Sequence, residues 1–172
     1  MADDGREQQA TIATSPPHAP ADAAREAYRQ ARIAHWDGLA GRPRRASAAY
    51  HRRLEEVFRF LVAPGQRVLE VGCGCGDLLA ALQPAEGVGL DFSPAMIAAA
   101  RQRHPGLRFI EGDAHALAGL VDGPFDVIVL SDLVNDLWDV QAVLEQVRAM
   151  AAPHTRIVIN TYSRLWEPAL AL

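Results

Sequence analysis

Apolar positions fall first at helical spacing and then in short strand-like runs. From Arg25 to Leu39, the residues Tyr28, Ile33 and Trp36 recur roughly on one face, which predicts an amphipathic helix ended by Gly38 and Gly41-Arg42-Pro43. A second helix is predicted over Ala46 to Val62, with Tyr50, Leu54, Val57, Phe58 and Leu61 on one stripe and Pro64-Gly65 as its stop. Beyond it, apolar runs alternate with helical stretches. Strands are predicted at Arg67–Val71, Gly87–Asp91, Leu107–Ile110, Phe125–Leu130 and Arg156–Thr161. The intervening helices fall at Asp77–Leu82, Ser93-Pro94 to His104, His115–Leu120 and Val140–Met150, and Ser93-Pro94 supplies an N-cap with proline at the first helical position. Strands that are continuous β-branched runs, separated by helices, predict an α/β domain whose mostly parallel sheet is covered on both faces.

Ahead of this pattern, residues 1–24 are rich in Ala, Pro, Asp and Thr, with Pro16-Pro17 and Pro20, and are expected to be a disordered leader. The remaining 25–172 divide into two N-terminal helices (25–63) and a βα core (66–172). A chain of 172 residues suits one such domain.

Composition narrows the chemistry. The formal charge of −4 argues against a nucleic-acid partner, although Arg42, Arg44, Arg45, Arg52 and Arg53 cluster on what is either a solvated face or a binding patch. All 17 basic residues are arginine. The lack of lysine excludes Schiff-base chemistry and any phosphate loop of the GK[ST] kind. Cys73 and Cys75 are too close in sequence for an ordinary disulfide and have no second pair to complete a zinc site, so no metal is expected. The N-terminus lacks a signal-peptide pattern and no stretch approaches a membrane span, which leads us to expect a cytoplasmic protein.

The candidate site is the loop between the first strand and its helix, Glu70-Val71-Gly72-Cys73-Gly74-Cys75-Gly76. A glycine-rich strand-to-helix turn places a ligand at the carboxyl end of the sheet. A dinucleotide fingerprint would need a glycine where Asp77 stands, and Glu70 and Asp77 would both repel a pyrophosphate. A ligand carrying an ammonium and a sulfonium would be welcome there. Asp77 also sits where an acid complements a helix dipole, so it has a purely structural reading as well.

The segment VLEVGCGCGDLL is similar to the first motif of class I S-adenosylmethionine-dependent methyltransferases, matched at every fixed position. Asp91 in GVGLDFSPAMI, Asp113 in FIEGDAHAL and the run FDVIVLSDLVND follow in that family's order, over roughly Tyr50 to Tyr162. The resemblance implies a Rossmann-like, doubly wound sheet with S-adenosylmethionine as cofactor. It implies Gly72, Gly74 and Gly76 as the cofactor loop, Glu70 at the methionine end and Asp91 on the ribose diol. Asp113 with the Ala114 amide would take the adenine, and Phe92, Ser131 and Tyr50 would complete the binding set. A carboxylate with two acceptor oxygens suits a vicinal diol, whereas Asp91 as a mere helix cap and Asp113 as a solvated turn residue are the structural alternatives.

Methyl transfer from a sulfonium is a displacement needing alignment and exclusion of water, with a base only if the acceptor must lose a proton. Candidates for such a base are Asp132, Asn135 and His115, followed by Asp136, Tyr50 and His51. Tyr28, Trp36 and Tyr50 are candidate lid residues, with a packing role as the alternative for Trp36. The family's sheet has two further strands beyond the fifth, whereas here only Ser163-Arg164-Leu165-Trp166-Glu167-Pro168 and a few residues follow, read as the start of a helix. An exposed fifth strand would be a liability, so the expectation is a fragment, or an edge covered by a partner or second copy. The phrase YSRLWEP resembles methyltransferase modules fused to bacterial glycosyltransferases. The expected activity is therefore methyl transfer to a small molecule. The rivals are a non-catalytic cofactor-binding module of a larger protein and a nicotinamide-dependent oxidoreductase.

Overall fold

The computed structural model of the chain describes residues 19–41 and 47–161. Most of the expected leader, the core of the arginine cluster (Arg42, Arg44 and Arg45) and the tail helix lie outside the described residues. Helix α1 (Ala19–Asp37) begins ahead of the expected start at Arg25, inside the stretch read as leader. Pro20 falls in its first turn, where a missing N–H leaves no helical bond unmade, and the alanine-rich run behind it favours a helix.

The remaining elements are α2 (Ala48–Leu61), β1 (Arg67–Val71), α3 (Asp77–Ala81), β2 (Glu86–Asp91), α4 (Pro94–Arg103), β3 (Arg108–Glu111), β4 (Phe125–Ser131), α5 (Val140–Ala149) and β5 (Ala151–Asn160). The helix expected at His115–Leu120 is a 3-10 segment over Ala114–Gly119, bent at Ala116. A second 3-10 turn covers Val134–Asp136. Strand β5 opens earlier than expected, directly after α5. Pro153 lies in a part of β5 that carries a register irregularity opposite Phe125/Val127, a setting in which a strand tolerates proline. The Thr155 hydroxyl pins this region by accepting from Ala152 N–H at 2.7 Å and donating to the Phe125 carbonyl at 2.6 Å.

The five strands are parallel in the order β3-β2-β1-β4-β5. The chain turns back at the join between β1 and β4, the place where open sheets of this kind hold ligands. On one face, Leu69, Leu90, Ile128 and Leu130 pack with Val143 and Val147 of α5 and Leu117. On the other, Val68, Val127 and Val129 pack with Phe58 of α2, Leu79 of α3 and Ile97 of α4. A small cluster of Ala40, Cys75 and Met96, with Trp36 and Leu39 against it, seats α1 on α4. β5 is one of the two outer strands, and Ile157 and Ile159 are nearly half exposed on it, at 45% and 46%.

Candidate functional site

The carboxyl ends of β1, β2, β3 and β4 converge under α1. Leaving β1, the chain adopts left-handed φ at Gly72 (+76°), Gly74 (+52°) and Gly76 (+75°), which L side chains rarely tolerate. A Cβ on Gly72 would lie 2.8 Å from Leu133 Cδ1, and one on Gly76 2.5 Å from Phe109 Cζ, so both positions also need the space. Four of the loop amides are spent internally. Gly72 and Cys73 N–H donate to the Leu90 carbonyl at 2.7 and 3.0 Å, and Gly76 N–H to the Cys73 carbonyl at 2.9 Å. Gly74 N–H donates to Asp91 Oδ2 at 2.9 Å. A loop built to hold a pyrophosphate would present these groups outward.

Asp91 ends β2 and is 8% exposed. Its second oxygen accepts from Ser93 N–H at 2.9 Å, so its carboxylate is fixed from two sides while it still lines the cleft. Burial pushes its proton affinity up, against the pull of the Ser93 and Gly74 amides. Ser93 caps α4 through Met96 N–H at 3.1 Å and donates to Asp37 of α1 at 2.5 Å. The helix cap is thus Ser93 itself, and Asp91 is left to face the cleft.

At the exit of β3, Asp113 Oδ1 accepts from His115 N–H at 2.9 Å and contacts His115 Nδ1 at 2.6 Å. Burial raises the Asp113 carboxyl, but the His115 amide and ring and the charge of Arg25 outweigh it and hold the group below its ordinary range. His115 Nε2 also accepts from Asp139 N–H at 3.2 Å. With both ring nitrogens engaged, His115 orients Asp113 rather than standing ready for proton transfer.

Helix α1 closes the cleft. Arg32 Nη2 lies 2.7 Å from each oxygen of Asp136, Trp36 Nε1 donates to Asp136 Oδ2 at 2.9 Å, and Tyr28 Oη donates to the Asp136 carbonyl at 3.3 Å. The Tyr28 ring packs on Trp138 with centroids 5.5 Å apart. Trp36 therefore both packs and bonds across the cleft.

Gly72, Asp91, Phe92, Asp113, Ala114 and His115 line this cleft. Glu70, Gly74, Gly76, Ser131 and Tyr50 do not line it. Glu70 is buried within the sheet, in register with Gly89 and Val129. Tyr50 instead donates to Asp132, at 2.8 and 2.7 Å from its two oxygens. Asn135 lies in the turn after β4. Asp77 is bound to Arg103 at 3.0 Å and His104 at 2.9 Å and does not line the cleft. Among residues not anticipated are Arg25, Arg29 and Arg32, which line the cleft from α1, and Leu133, Leu137 and Trp138 after β4. Their i, i+4, i+7 spacing was the available sign that the three arginines share a helix face.

S-adenosylmethionine, the cofactor that the resemblance implies, fits this arrangement. The cleft has apolar walls at Leu90, Phe92 and Leu133 and carboxylates at Asp91 and Asp113, the mixture of apolar lining and few polar groups that suits a small ligand. The inward-turned amides do not suit a pyrophosphate.

A family profile described as a methyltransferase domain matches residues 63–170. The demethylmenaquinone methyltransferase of Beutenbergia cavernae is 34% identical over 112 residues, covering 63% of this chain and 46% of that protein. A probable phthiotriol/phenolphthiotriol dimycocerosates methyltransferase of Mycobacterium ulcerans is 37% identical over 118 residues, covering 62% and 45%. The chain thus spans about half the length of these relatives. Among solved structures, a Geobacter sulfurreducens S-adenosylmethionine-dependent methyltransferase with S-adenosylhomocysteine superposes with TM-score 0.56 at 24% identity, covering 74% of this chain and 54% of that one. The Bradyrhizobium japonicum N-methyltransferase NodS gives 0.61 at 19% identity, covering 74% and 71%, and shares the fold.

Proposed function

Because this chain belongs to the methyltransferase-domain family, matched over residues 63–170, we propose that it transfers a methyl group from S-adenosylmethionine to a small, apolar acceptor. The observation that carries the reading is the cleft itself. Its glycine loop turns its amides inward, while Asp91 and Asp113, at the carboxyl ends of the adjacent strands β2 and β3, both line the cleft to take a nucleoside. Bound there, the cofactor would supply an electrophilic methyl group with a neutral thioether as leaving group. Asp91 would accept from the ribose hydroxyls, its geometry fixed beforehand by the Gly74 and Ser93 amides. Asp113, aligned by His115, and the Ala114 amide would meet the base. Helix α1, tied to Asp136, would exclude water.

An apolar acceptor is supported by the relatives, which are named for demethylmenaquinone and for phthiotriol lipids. The net charge of −4 speaks against nucleic acid. A cytoplasmic location is part of the same reading; no helix among the described residues is long and apolar enough to cross a membrane.

The test is transfer of labelled methyl from S-adenosylmethionine into a reduced organic extract of bacterial membranes, and into naphthalene-1,4-diol. The reading expects label in the organic phase, dependent on Asp91. Binding of S-adenosylhomocysteine with no transfer to either acceptor would leave a cofactor-binding module instead of an enzyme.

A further inference from the structure

Three residues from three elements meet beside the cleft wall. Asp132 follows β4, Tyr50 lies on α2 and Asn160 ends β5. Tyr50 Oη is 2.8 and 2.7 Å from the Asp132 carboxylate oxygens, and Asn160 Nδ2 donates to Asp132 Oδ1 at 2.7 Å. Asn160 Nδ2 is also 3.5 Å from Tyr50 Oη.

Two features set this cluster apart from an ordinary surface network. Asp132 is one of two non-glycine residues with left-handed φ (+53°) among the described residues, an uncommon conformation that aspartate tolerates better than most side chains. The turn parts neighbouring side chains, with Leu133 on the cofactor cleft and the Asp132 carboxylate on Tyr50 and Asn160. Second, Asn160 Oδ1 is buried and meets no donor among the described residues. A buried acceptor left unmet is costly, so an arriving donor is favoured there. Carboxylate and amide oxygen together present acceptors to something that brings a proton.

We propose that Asp132 takes the proton of the methyl acceptor, an apolar molecule bearing a phenolic or similarly acidic hydroxyl, and that Tyr50 and Asn160 are its positioning residues. The assignment rests on the methyltransferase reading above. In the step, the bond from the acceptor to the methyl carbon forms as the carbon–sulfur bond breaks. The electron pair stays on sulfur, and the acceptor's proton passes to the Asp132 carboxylate, leaving a neutral acid. Tyr50 donates to the carboxylate and keeps it charged until then. Burial raises the carboxyl of Asp132 above its ordinary range, against the hydrogen bonds from Tyr50 and Asn160, which makes it a better proton acceptor than an exposed aspartate.

The experiment measures binding of 1-naphthol and of 1-methoxynaphthalene by fluorescence across pH 4–9, to the full chain saturated with S-adenosylhomocysteine. A site that hydrogen-bonds a hydroxyl rejects the analogue lacking it, so a preference for the naphthol of about tenfold or more is expected at neutral pH. That preference should fade as pH falls through the Asp132 titration. In Asp132→Asn the pH dependence should vanish, and in Tyr50→Phe its midpoint should move upward, because a donor to the carboxylate is lost. A merely structural cluster would not move that midpoint. If one variant fails to fold, the other still decides. No preference for the naphthol, a preference independent of pH in the wild type, or a midpoint unmoved in the folded variants would overturn the assignment. Calorimetry with S-adenosylhomocysteine on the same samples separates the two readings. If that ligand does not bind, the cofactor reading falls and takes this one with it. If it binds and the naphthol behaves otherwise, only the role of Asp132 falls.

Discussion

Arg32 and Asp136, 104 positions apart, form a two-oxygen ion pair across the mouth of the cleft, with Arg32 Nη2 2.7 Å from both carboxylate oxygens. The side chains are 22% and 10% exposed, so the pair is shielded from most of the solvent. Because Trp36 shares the same carboxylate and Tyr28 its carbonyl, Asp136 is where α1 is fastened to the sheet.

Replacing Arg32 with methionine should therefore loosen α1 while leaving the sheet intact. Charge-assisted bonds of this kind contribute about 1.5–3 kcal/mol. Hydrogen exchange should show amide protection in α1 falling by tenfold or more, with β1 and β4 unchanged. Equal protection in the variant would mean that packing of Trp36 and Leu39 on Met96 holds the helix alone.

The glycine loop makes a sharper prediction about stability. Gly76→Ala puts a Cβ 2.5 Å from the buried Phe109 ring and at a φ of +75°. The left-handed conformation and the overpacking together should cost about 2–5 kcal/mol in urea unfolding. Gly106→Ala, where nothing lies within 4 Å, should change stability by less than about 0.5 kcal/mol. Similar midpoints for the two variants would contradict the geometry given for the loop.

Acid and neutral pH should act oppositely on different carboxylates. Asp113 is held below the ordinary carboxylate value, so its stabilisation is present above the unfolded pKa of about 3.9 and is lost as pH falls through the folded one. Removing its partner with His115→Ala should move the acid-unfolding limb to higher pH. Asp91 and Asp132 are raised, so between the unfolded value and their folded ones the native state binds more protons, and stability declines as pH rises. Asp132→Asn should flatten that decline. Urea midpoints measured at half-unit steps of pH would show both effects, and parallel curves for all three proteins would refute them.

Much of this arrangement is visible in the residues alone, and the reason lies in how local the signals are. Strand β1 has the predicted limits Arg67–Val71, because a buried parallel strand is a continuous apolar run between a loop and a glycine turn. Ser93-Pro94 marks the start of α4 by the capping chemistry of a single dipeptide. The positions of Asp91 and Asp113 follow from the strands that Asp91 ends and Asp113 follows. What stayed hidden depends on contacts between distant segments. Nothing near Tyr50 in sequence indicates Asp132, 82 positions away, nor does Arg32 announce Asp136. Pro20 was misleading because the same residue breaks a helix in its interior and opens one in its first turn. The early start of β5 was masked by Pro153 and Thr155, which suit a loop until an outer strand accommodates them.

In the function proposed above, the cleft under α1 holds a sulfur nucleoside through Asp91. The most direct measurement is calorimetric titration of the full chain with S-adenosylhomocysteine and, separately, with NAD, repeated on Asp91→Ala. Two hydrogen bonds to a charged group should make the substitution cost about 3–6 kcal/mol, a loss of a hundredfold or more. Saturable binding of the sulfur nucleoside by the wild type, abolished in the variant and absent with NAD, is the predicted result. Binding of NAD in its place, or equal affinity in the variant, would rule out that role for Asp91 and the cleft.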